Sequence, residues 1–227
     1  MGTALAKLLG NNNHRVVIWA RRAEVVKSIN ELRENVEYFP GIKLPSKVRA
    51  TNDMRECVDS EIIFIAVPSH AVREVCVRIK QVWGNNSSVI VNTAKGVEYP
   101  PFRRLSTTIK EILGDDTRLV VLSGPNFASE IIRGLPSGTT IASSDPDALT
   151  IVKGVLHSEK FVVQVSDDVV GVELGGVLKN IYAIAMGICD ALGINENAYY
   201  FVLTEAFREM KEIITRLGGK PESLFLS

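Results

Sequence analysis

Short apolar runs alternate with amphipathic helical stretches through residues 1–125, and this alternation restricts the fold more than any other feature of the chain. Runs rich in Val, Ile and Leu lie at residues 15–20, 61–67, 88–92 and 119–122. Helical spacing is found at residues 3–9, which Gly10 is expected to end, and at 23–35, 71–82 and 102–113. Continuous apolar runs are typical of strands covered on both faces. We therefore predict an α/β fold with a doubly wound parallel sheet.

The chain changes character near residue 165. Strands predicted at 139–142 and 161–165 flank a helix near 146–156, whereas residues 169–217 contain no β-like run and several glycines within long apolar stretches. Such stretches predict closely packed helices. We expect two domains, residues 1–166 with the sheet and residues 167–227 with part of an all-helical domain.

The sheet is expected to lack its first strand. In an open sheet of this kind, that strand lies in the middle and leads into the glycine-rich turn that holds a pyrophosphate. Here the first predicted element is already a helix. The two neighbouring strands would keep unpaired backbone groups, each costing about 1–3 kcal/mol if buried. We expect the sequence to be a fragment or its true start to lie upstream.

Composition excludes several function classes. The 227 residues include 26 basic and 26 acidic side chains, so no overall charge attracts nucleic acid or an anionic membrane. We also expect no membrane insertion, because we predict no apolar segment long enough to span a bilayer. Three isolated cysteines favour a reducing cytoplasm, and the three histidines lack metal-ligand spacing. A small-molecule function is favoured.

Five sequence blocks together resemble one family. They are GTALA (2–6), VPSHAVRE (67–74), NTAKGVE (92–98), SGPNFASEI (123–131) and ELGGVLKNIYAIAMGICDALGINENA (173–198). In this order they are similar to the NAD(P)-dependent glycerol-3-phosphate dehydrogenases of bacterial type, whose first domain is Rossmann-like. The resemblance covers the chain up to residues 218–219, and the family continues well beyond Ser227.

The resemblance implies reversible hydride transfer between NAD(P)H and dihydroxyacetone phosphate, giving sn-glycerol 3-phosphate for phospholipid synthesis. It implies that Lys179 is the general acid/base. The substrate-binding residues that it implies are Lys95, Gly124, Asn126 and Lys179. The cofactor-binding residues that it implies are Gly2, Arg21, Arg22, Pro68, Lys95 and Ala128. A homodimer is compatible with this interpretation, and no metal is implied.

The chemistry of the two lysines agrees with that assignment. Oxidising a secondary alcohol needs a base for the hydroxyl proton, and the reverse reaction needs the same group as an acid. A lysine with its usual pKa of about 10.4 needs burial or a second cation to serve at neutral pH, and Lys95 could be that cation. One helical turn from Lys179 lie Gly175, Gly176 and Ala183, a nearly bare face. The alternative is a close helix contact with Lys179 extending to water.

Arg21 and Arg22, which follow the strand predicted at residues 15–20, indicate which dinucleotide binds. Strands of NAD-selecting folds commonly end with Asp or Glu here, whereas this strand ends WARR and the first acid is Glu24. We therefore expect NADP or NAD to bind, with NADP favoured. The alternative is a solvated basic turn. Lys95-Gly96 and Gly124-Pro125 follow strands at the carboxyl edge, where ligands of such folds gather, although both could be plain turns.

Some features depart from the family. Glu205 stands where arginine is usual, and Tyr199 where lysine is common. The resemblance also places an Arg-Asn pair for the substrate phosphate and an active-site aspartate beyond Ser227, so we expect the printed chain to be inactive. Two alternatives remain open: a related 3-hydroxyacid or 6-phosphogluconate-type dehydrogenase, and an inactive fragment or pseudo-enzyme that binds only nucleotide or a partner.

Overall fold

The computed structural model describes residues 1–84 and 87–226. Its helices are Gly2–Asn11 (α1), Ala23–Leu32 (α2), Arg55–Val58 (α3), Val72–Trp83 (α4), Leu105–Leu113 (α5), Ala128–Ile131 (α6), Pro146–Leu156 (α7), Val169–Ala191 (α8) and Glu196–Arg216 (α9), with 3-10 turns at Ser69–Ala71 and Pro221–Phe225. Its strands are Val16–Trp19 (β1), Val48–Thr51 (β2), Ile62–Ile65 (β3), Val89–Asn92 (β4), Val97–Glu98 (β5), Arg103–Arg104 (β6), Leu119–Ser123 (β7), Ser137–Ala142 (β8) and Phe161–Ser166 (β9).

The strands form one large sheet and two small ones. The large sheet has the order β3-β4-β7-β8-β9, and its first three strands run parallel. Strand β8 pairs antiparallel with β7 and parallel with β9. Strands β1 and β2 form a separate parallel pair, and β5 and β6 a short antiparallel pair. The predicted Rossmann-like α/β fold is confirmed, with β8 as a reversal in an otherwise parallel sheet.

Helices cover both faces of the large sheet, as the apolar runs predicted. In β4, Val89 and Val91 join a core that includes α1, α6 and α7. The intervening Ile90 joins the opposite core with α4 and α5. Because side chains alternate along a strand, a strand buried on both faces must be apolar at every such position. This explains why β4 is easily recognised in the sequence.

A gap separates the β1-β2 pair from the large sheet. Strand β1 pairs with β2, strand β3 pairs with β4, and neither has another strand partner among the described residues. A cavity of about 300 Å³ lies between β1 and β3 and is closed on one side by α1. The four residues of β1 are only half-buried. The gap lies where we expected two strands to keep unpaired backbone groups.

Three details of the sequence prediction were wrong. Helix α1 continues through Gly10, which is buried against β2: a Cβ there would lie 2.9 Å from Val48 Cγ2. Close packing, and not a left-handed cap, explains this glycine. Helix α2 ends at Leu32 because Arg33 has a φ of 56°. Strand β2 was missed because tertiary contacts stabilise it: Asn30 hydrogen-bonds both the N–H and the carbonyl of Ala50, at 2.8 and 2.9 Å.

Helix α8 joins the sheet to a helical pair. Its N-cap Asp168 accepts hydrogen bonds from the Gly171 N–H at 2.9 Å, the Lys220 N–H at 2.7 Å and Ser223 Oγ at 2.6 Å. Val172 packs against strands β7 and β8. Further along, α8 packs against α9 through Leu174, Leu178 and Tyr182, which contact Met210 and Ile214. One continuous helix therefore packs against both the large sheet and α9.

Helix α8 also corrects the expectation that no segment is long enough to span a membrane. At 23 residues it is long and apolar enough by length and composition alone. Such a helix is weak evidence of a span, since core helices pass the same test. Here its N-terminal half packs on the sheet, with Val172 and Leu174 buried. The absence of membrane insertion stays a prediction.

Candidate functional site

The candidate site lies at the carboxyl edge of the large sheet. Strands β3, β4 and β7 are neighbours and run parallel, so the loops that follow them meet at one edge. Each loop carries a residue singled out from the sequence: Pro68 follows β3, Lys95 follows β4, and Gly124 follows β7. The topology thus brings three distant segments together.

The loops after β3 and β4 are in close contact. Gly96 has a φ of +151°, and a Cβ there would lie 2.6 Å from Ser69 Cβ. Only a glycine combines that backbone conformation with such an approach. Pro68, which precedes Ser69, is exposed at this rim. The predicted cofactor contact Pro68 is therefore placed beside the Lys95 loop.

The loop after β7 is built around a buried hydrogen-bond chain. Asn126 Nδ2 donates to Thr139 Oγ1 at 2.9 Å, and Thr139 Oγ1 donates to the Ser123 carbonyl at 2.8 Å. Gly124 has a φ of +141°, and a Cβ there would lie 3.2 Å from Thr139 Cα. Two buried oxygens, Asn126 Oδ1 and Ser123 Oγ, have no partner among the described residues. Unsatisfied buried polar atoms are rare and call for a ligand or water.

Two lysine amines meet above this loop. Lys95 Nζ donates to the Gly124 carbonyl at 2.6 Å, and the Lys95 and Lys179 side chains are close enough for the charge of one to act on the other. Lys179 reaches this position because α8 crosses β7 closely at Gly176, where any β-carbon would overlap Ser123 Oγ. Both lysines are half-buried. The position of Lys179 differs from the alternative in which it extends freely to water.

Burial and mutual repulsion change the acidity of the pair. Burial, and next the positive charge of Lys95, lower the pKa of Lys179 to about 8. Burial also lowers the pKa of Lys95. In the part of the chain that the structure describes, neither amine has a carboxylate at ion-pairing distance. The site can therefore attract an anion and exchange a proton near neutral pH.

Gly2 and Ala128 lie at the start of helices on the other side of this edge. Gly2 is the first residue of α1, and a Cβ there would lie 3.5 Å from Ala66 Cβ, just after β3. Helix α1 has no side-chain cap at its N-terminus. Ala128 begins α6, which packs against α1. No contact joins either residue to the lysine pair among the described residues.

Arg21 and Arg22 follow β1 and are exposed. Arg22 Nη2 donates to Glu37 Oε1 at 2.7 Å and to Tyr38 Oη at 3.2 Å, and its guanidinium carbon lies 5.9 Å from the centre of the Tyr38 ring. No such partner is found for Arg21 in residues 1–84 and 87–226. The arginine pair therefore forms a second basic position, separate from the two lysines.

Sequence reasoning missed a buried carboxylate beside the site. Glu173 accepts hydrogen bonds from the Ser106 N–H at 2.8 Å and from Ser106 Oγ, and Arg104 Nη1 lies 3.3 Å from its Oε2. Burial raises the pKa of Glu173. These contacts tie α8 to the start of α5, two turns before Lys179. The signal was present, since Glu173 is the only acid in the apolar stretch VVGVELGG.

The two departures from the family pattern lie on α9. Glu205 forms an ion pair with Arg208, at 2.5 Å between Oε2 and Nη2, and the ring of Tyr199 meets that of Tyr200 edge-on at 5.6 Å. No hydrogen bond or ion pair joins either side chain to the lysine pair among the described residues.

Comparison with known proteins identifies the family. The profile described as NAD-dependent glycerol-3-phosphate dehydrogenase N-terminus matches residues 1–149, and that described as the C-terminus of the same family matches residues 168–227. The chain is 40% identical over 225 residues to a glycerol-3-phosphate dehydrogenase [NAD(P)+] from Clostridium acetobutylicum. It is 43% identical over 221 residues to one from Acinetobacter baumannii.

A solved structure agrees with these matches. The crystal structure of a glycerol-3-phosphate dehydrogenase from Coxiella burnetii has a TM-score of 0.90 and 32% identity, over 98% of this chain and 68% of that one. The match covers 99% of this chain and 67% of the Clostridium protein, and 97% of this chain and 61% of the Acinetobacter protein. The chain thus spans about two thirds of the length of its relatives. It belongs to the family of NAD-dependent glycerol-3-phosphate dehydrogenases.

Proposed function

We propose that this chain carries the catalytic lysine of an oxidoreductase that transfers a hydride between NAD(P)H and dihydroxyacetone phosphate, giving sn-glycerol 3-phosphate. The observation that carries the proposal is the amine pair of Lys95 and Lys179, which has no carboxylate partner among the described residues. A phosphorylated alcohol needs both an anion site and a proton acceptor. Residues 1–166 would bind the dinucleotide, and residues 167–227 would supply Lys179.

The residues present fit a dinucleotide and a polar substrate. The N-terminus of α1 lacks a side-chain cap, so its backbone N–H groups suit a pyrophosphate, and Gly2 leaves room there. The unpartnered Asn126 Oδ1 suits a hydroxyl or amide group of the substrate or cofactor, whereas α8 covers Ser123 Oγ at Gly176. The nicotinamide ring, when bound, supplies the hydride or accepts it. Pro68 and Ala128 would contact the same cofactor.

In this proposal, the two lysines divide the work. Lys179 Nζ takes the proton of the substrate hydroxyl during oxidation and returns it during reduction. Lys95, anchored on the Gly124 carbonyl at 2.6 Å, keeps its positive charge beside the substrate and holds the pKa of Lys179 down. Gly124 and Asn126 position the substrate on the loop after β7. No metal is needed for these steps.

The proposed activity can be tested by following NADPH and NADH oxidation with dihydroxyacetone phosphate. The chain would be measured alone and as a chimera in which it replaces the matching residues of the Clostridium relative. We expect turnover in the chimera, and the chain alone serves as the comparison. An inactive chimera that is folded and binds dinucleotide would favour the second candidate, a family member that only binds nucleotide.

We further propose that NADP is the favoured cofactor, that the protein works in the cytoplasm to supply phospholipid synthesis, and that it forms a homodimer. The cofactor preference rests on Arg21 and Arg22, which follow β1 and precede the first acidic residue, Glu24. A 2′-phosphate forms charge-assisted hydrogen bonds with arginine. Arg22 is already paired with Glu37, so Arg21 is the more available of the two.

Replacing both arginines by alanine is expected to weaken NADPH binding about tenfold or more, while NADH binding changes little, because each charge-assisted bond is worth about 1.5–3 kcal/mol. Glu37→Gln should act in the opposite direction, since it frees Arg22 for the phosphate. Dissociation constants for both dinucleotides, measured by nucleotide fluorescence, check this. Equal losses for NADPH and NADH in the double variant would show that the pair does not read the phosphate.

A further inference from the structure

We propose that Lys179 also condenses with the carbonyl group of small phosphorylated aldehydes and ketones, forming a reversible imine. This inference rests on the proposed function in one respect: both assume that the site binds phosphorylated carbonyl compounds. The imine itself involves neither cofactor nor hydride. It would give the site a second, covalent way of binding its ligands.

The contact of Lys95 with a backbone carbonyl decides which amine is the nucleophile. Two neighbouring ammonium groups repel each other, which favours loss of a proton from one of them. Lys95 donates to the Gly124 carbonyl at 2.6 Å, a contact that favours its ammonium form, so Lys179 is the amine that carries the lone pair. With no carboxylate at ion-pairing distance of either amine among the described residues, nothing restores the second positive charge. A lysine beside another cation is a recognised activated nucleophile.

The surroundings of Lys179 leave room for a carbonyl compound. Gly175 and Gly176 lie one turn before it on α8, and Ala183 lies one turn after it. The larger side chain on this side, Tyr182, is directed to α9, where its hydroxyl donates to Glu209 Oε2 at 2.7 Å. On this side of α8 the helix neighbours of Lys179 are therefore no larger than a methyl group, and the half-buried side chain of Lys179 keeps part of its surface open to a small planar group.

The neighbouring ammonium selects the ligand class. Lys95 stays charged beside the reacting amine and is half-buried, which strengthens its attraction for an anion compared with an exposed lysine. A phosphate on the carbonyl compound would pair with this ammonium while the carbonyl carbon faces Lys179. Aldehydes without a phosphate lose that attraction. The expected ligands are thus short carbonyl compounds that carry one phosphate group.

The reaction balances without an oxidant or a reductant. The Lys179 nitrogen attacks the carbonyl carbon, the carbonyl π electrons move to oxygen, and that oxygen takes up one of the two protons of the attacking nitrogen. The resulting carbinolamine loses that oxygen as water, and a carbon–nitrogen double bond forms. The ammonium of Lys95 can donate the proton that the leaving oxygen needs. Addition of water reverses each step.

Pyridoxal 5′-phosphate followed by borohydride reduction tests the proposal on the chimera with the Clostridium relative. Reduction fixes an imine as a stable secondary amine, which peptide mass spectrometry locates. We expect labelling of Lys179 about tenfold or more above that of Lys27, an exposed lysine with a 72% exposed side chain, because the Lys179 amine, whose pKa burial and Lys95 lower to about 8, has a large neutral fraction at pH 8 and lies beside an ammonium that attracts the phosphate. Labelling spread evenly over exposed lysines would overturn the proposal.

Two controls separate the chemistry from the fold. Pyridoxal without the phosphate should label Lys179 about tenfold less, and Lys95→Met should reduce labelling by pyridoxal 5′-phosphate while the melting temperature confirms that the variant is folded. Equal labelling by the two aldehydes would overturn the phosphate selection. Lys179 labelling in an inactive chimera would contradict only the proposed function, whereas hydride transfer with unlabelled Lys179 would contradict only this inference.

Discussion

An N-terminal extension that adds one apolar strand to this chain is expected to raise its melting temperature by about 10 °C. The strand would fill the cavity of about 300 Å³ between β1 and β3 and pair with both open edges. Backbone hydrogen bonds contribute about 0.5–1.5 kcal/mol each, and half-buried side chains such as Ile18 and Phe64 would become buried. For a chain of this size, about 2–4 °C accompanies each kcal/mol. Without the extension we expect poor solubility or partial folding.

A matched control uses the same extension with proline at its central position. Proline cannot donate to a strand ladder, so the control keeps length and composition while losing the pairing. Calorimetry and far-ultraviolet circular dichroism on the three proteins provide the comparison. A sharp cooperative transition of the unextended chain, unchanged by either extension, would show that the open edges cost little.

Replacing Lys179 by methionine in the chimera is expected to lower kcat by about 100-fold to 10,000-fold, the usual contribution of a positioned acid or base. Methionine keeps most of the side-chain volume, so packing on α8 is retained. Dinucleotide affinity should persist, since we propose that residues 1–166 supply the cofactor contacts. Steady-state kinetics with a separate binding measurement check this. A near-normal kcat would remove Lys179 from the chemistry.

The pH dependence supplies a second readout. Oxidation needs the neutral amine, so its rate should rise with pH through about 8, the pKa to which burial and Lys95 lower Lys179. Reduction needs the ammonium and should fall through the same range. In Lys95→Met the neighbouring charge is lost, so the pH at which the oxidation rate rises should increase. KM for the phosphorylated substrate should increase as well. An unchanged pH dependence would mean that another group titrates.

Elements whose stability is encoded locally were predicted well. Strand β4 is apolar at each position that faces a helix layer, and α7 begins with an Asp145 cap followed by Pro146. Strand β2 was missed because it contains Arg49 and depends on pairing with β1. Gly10 was misread because its cause is a neighbour 38 positions away, Val48. Local patterns do not contain such contacts.

For the proposed site, the sequence predicts that some residues lie close together, but it does not predict their geometry. The rule that strand ends meet at one edge places Lys95 and Gly124 together, whereas the meeting of Lys179 with them depends on how α8 crosses β7. That crossing follows from Gly176, Ser123 and the buried Glu173, whose partners lie in other elements. The contact of Arg22 with Glu37 joins a strand end to a loop and has no sequence signal.

The continuous helix α8 is fixed against the sheet near its N-terminal end, so a tilt of the helix moves its C-terminal end most. Residues up to Gly176 are held against β7 and β8, and Lys179 follows only three residues later, about 4.5 Å along the axis at 1.5 Å per residue. The far end at Ala191 lies about 22 Å from the same point. A tilt that moves that end by about 4 Å therefore displaces Lys179 by less than about 1 Å. Motions of the α8-α9 hairpin leave the spacing of the two amines almost unchanged.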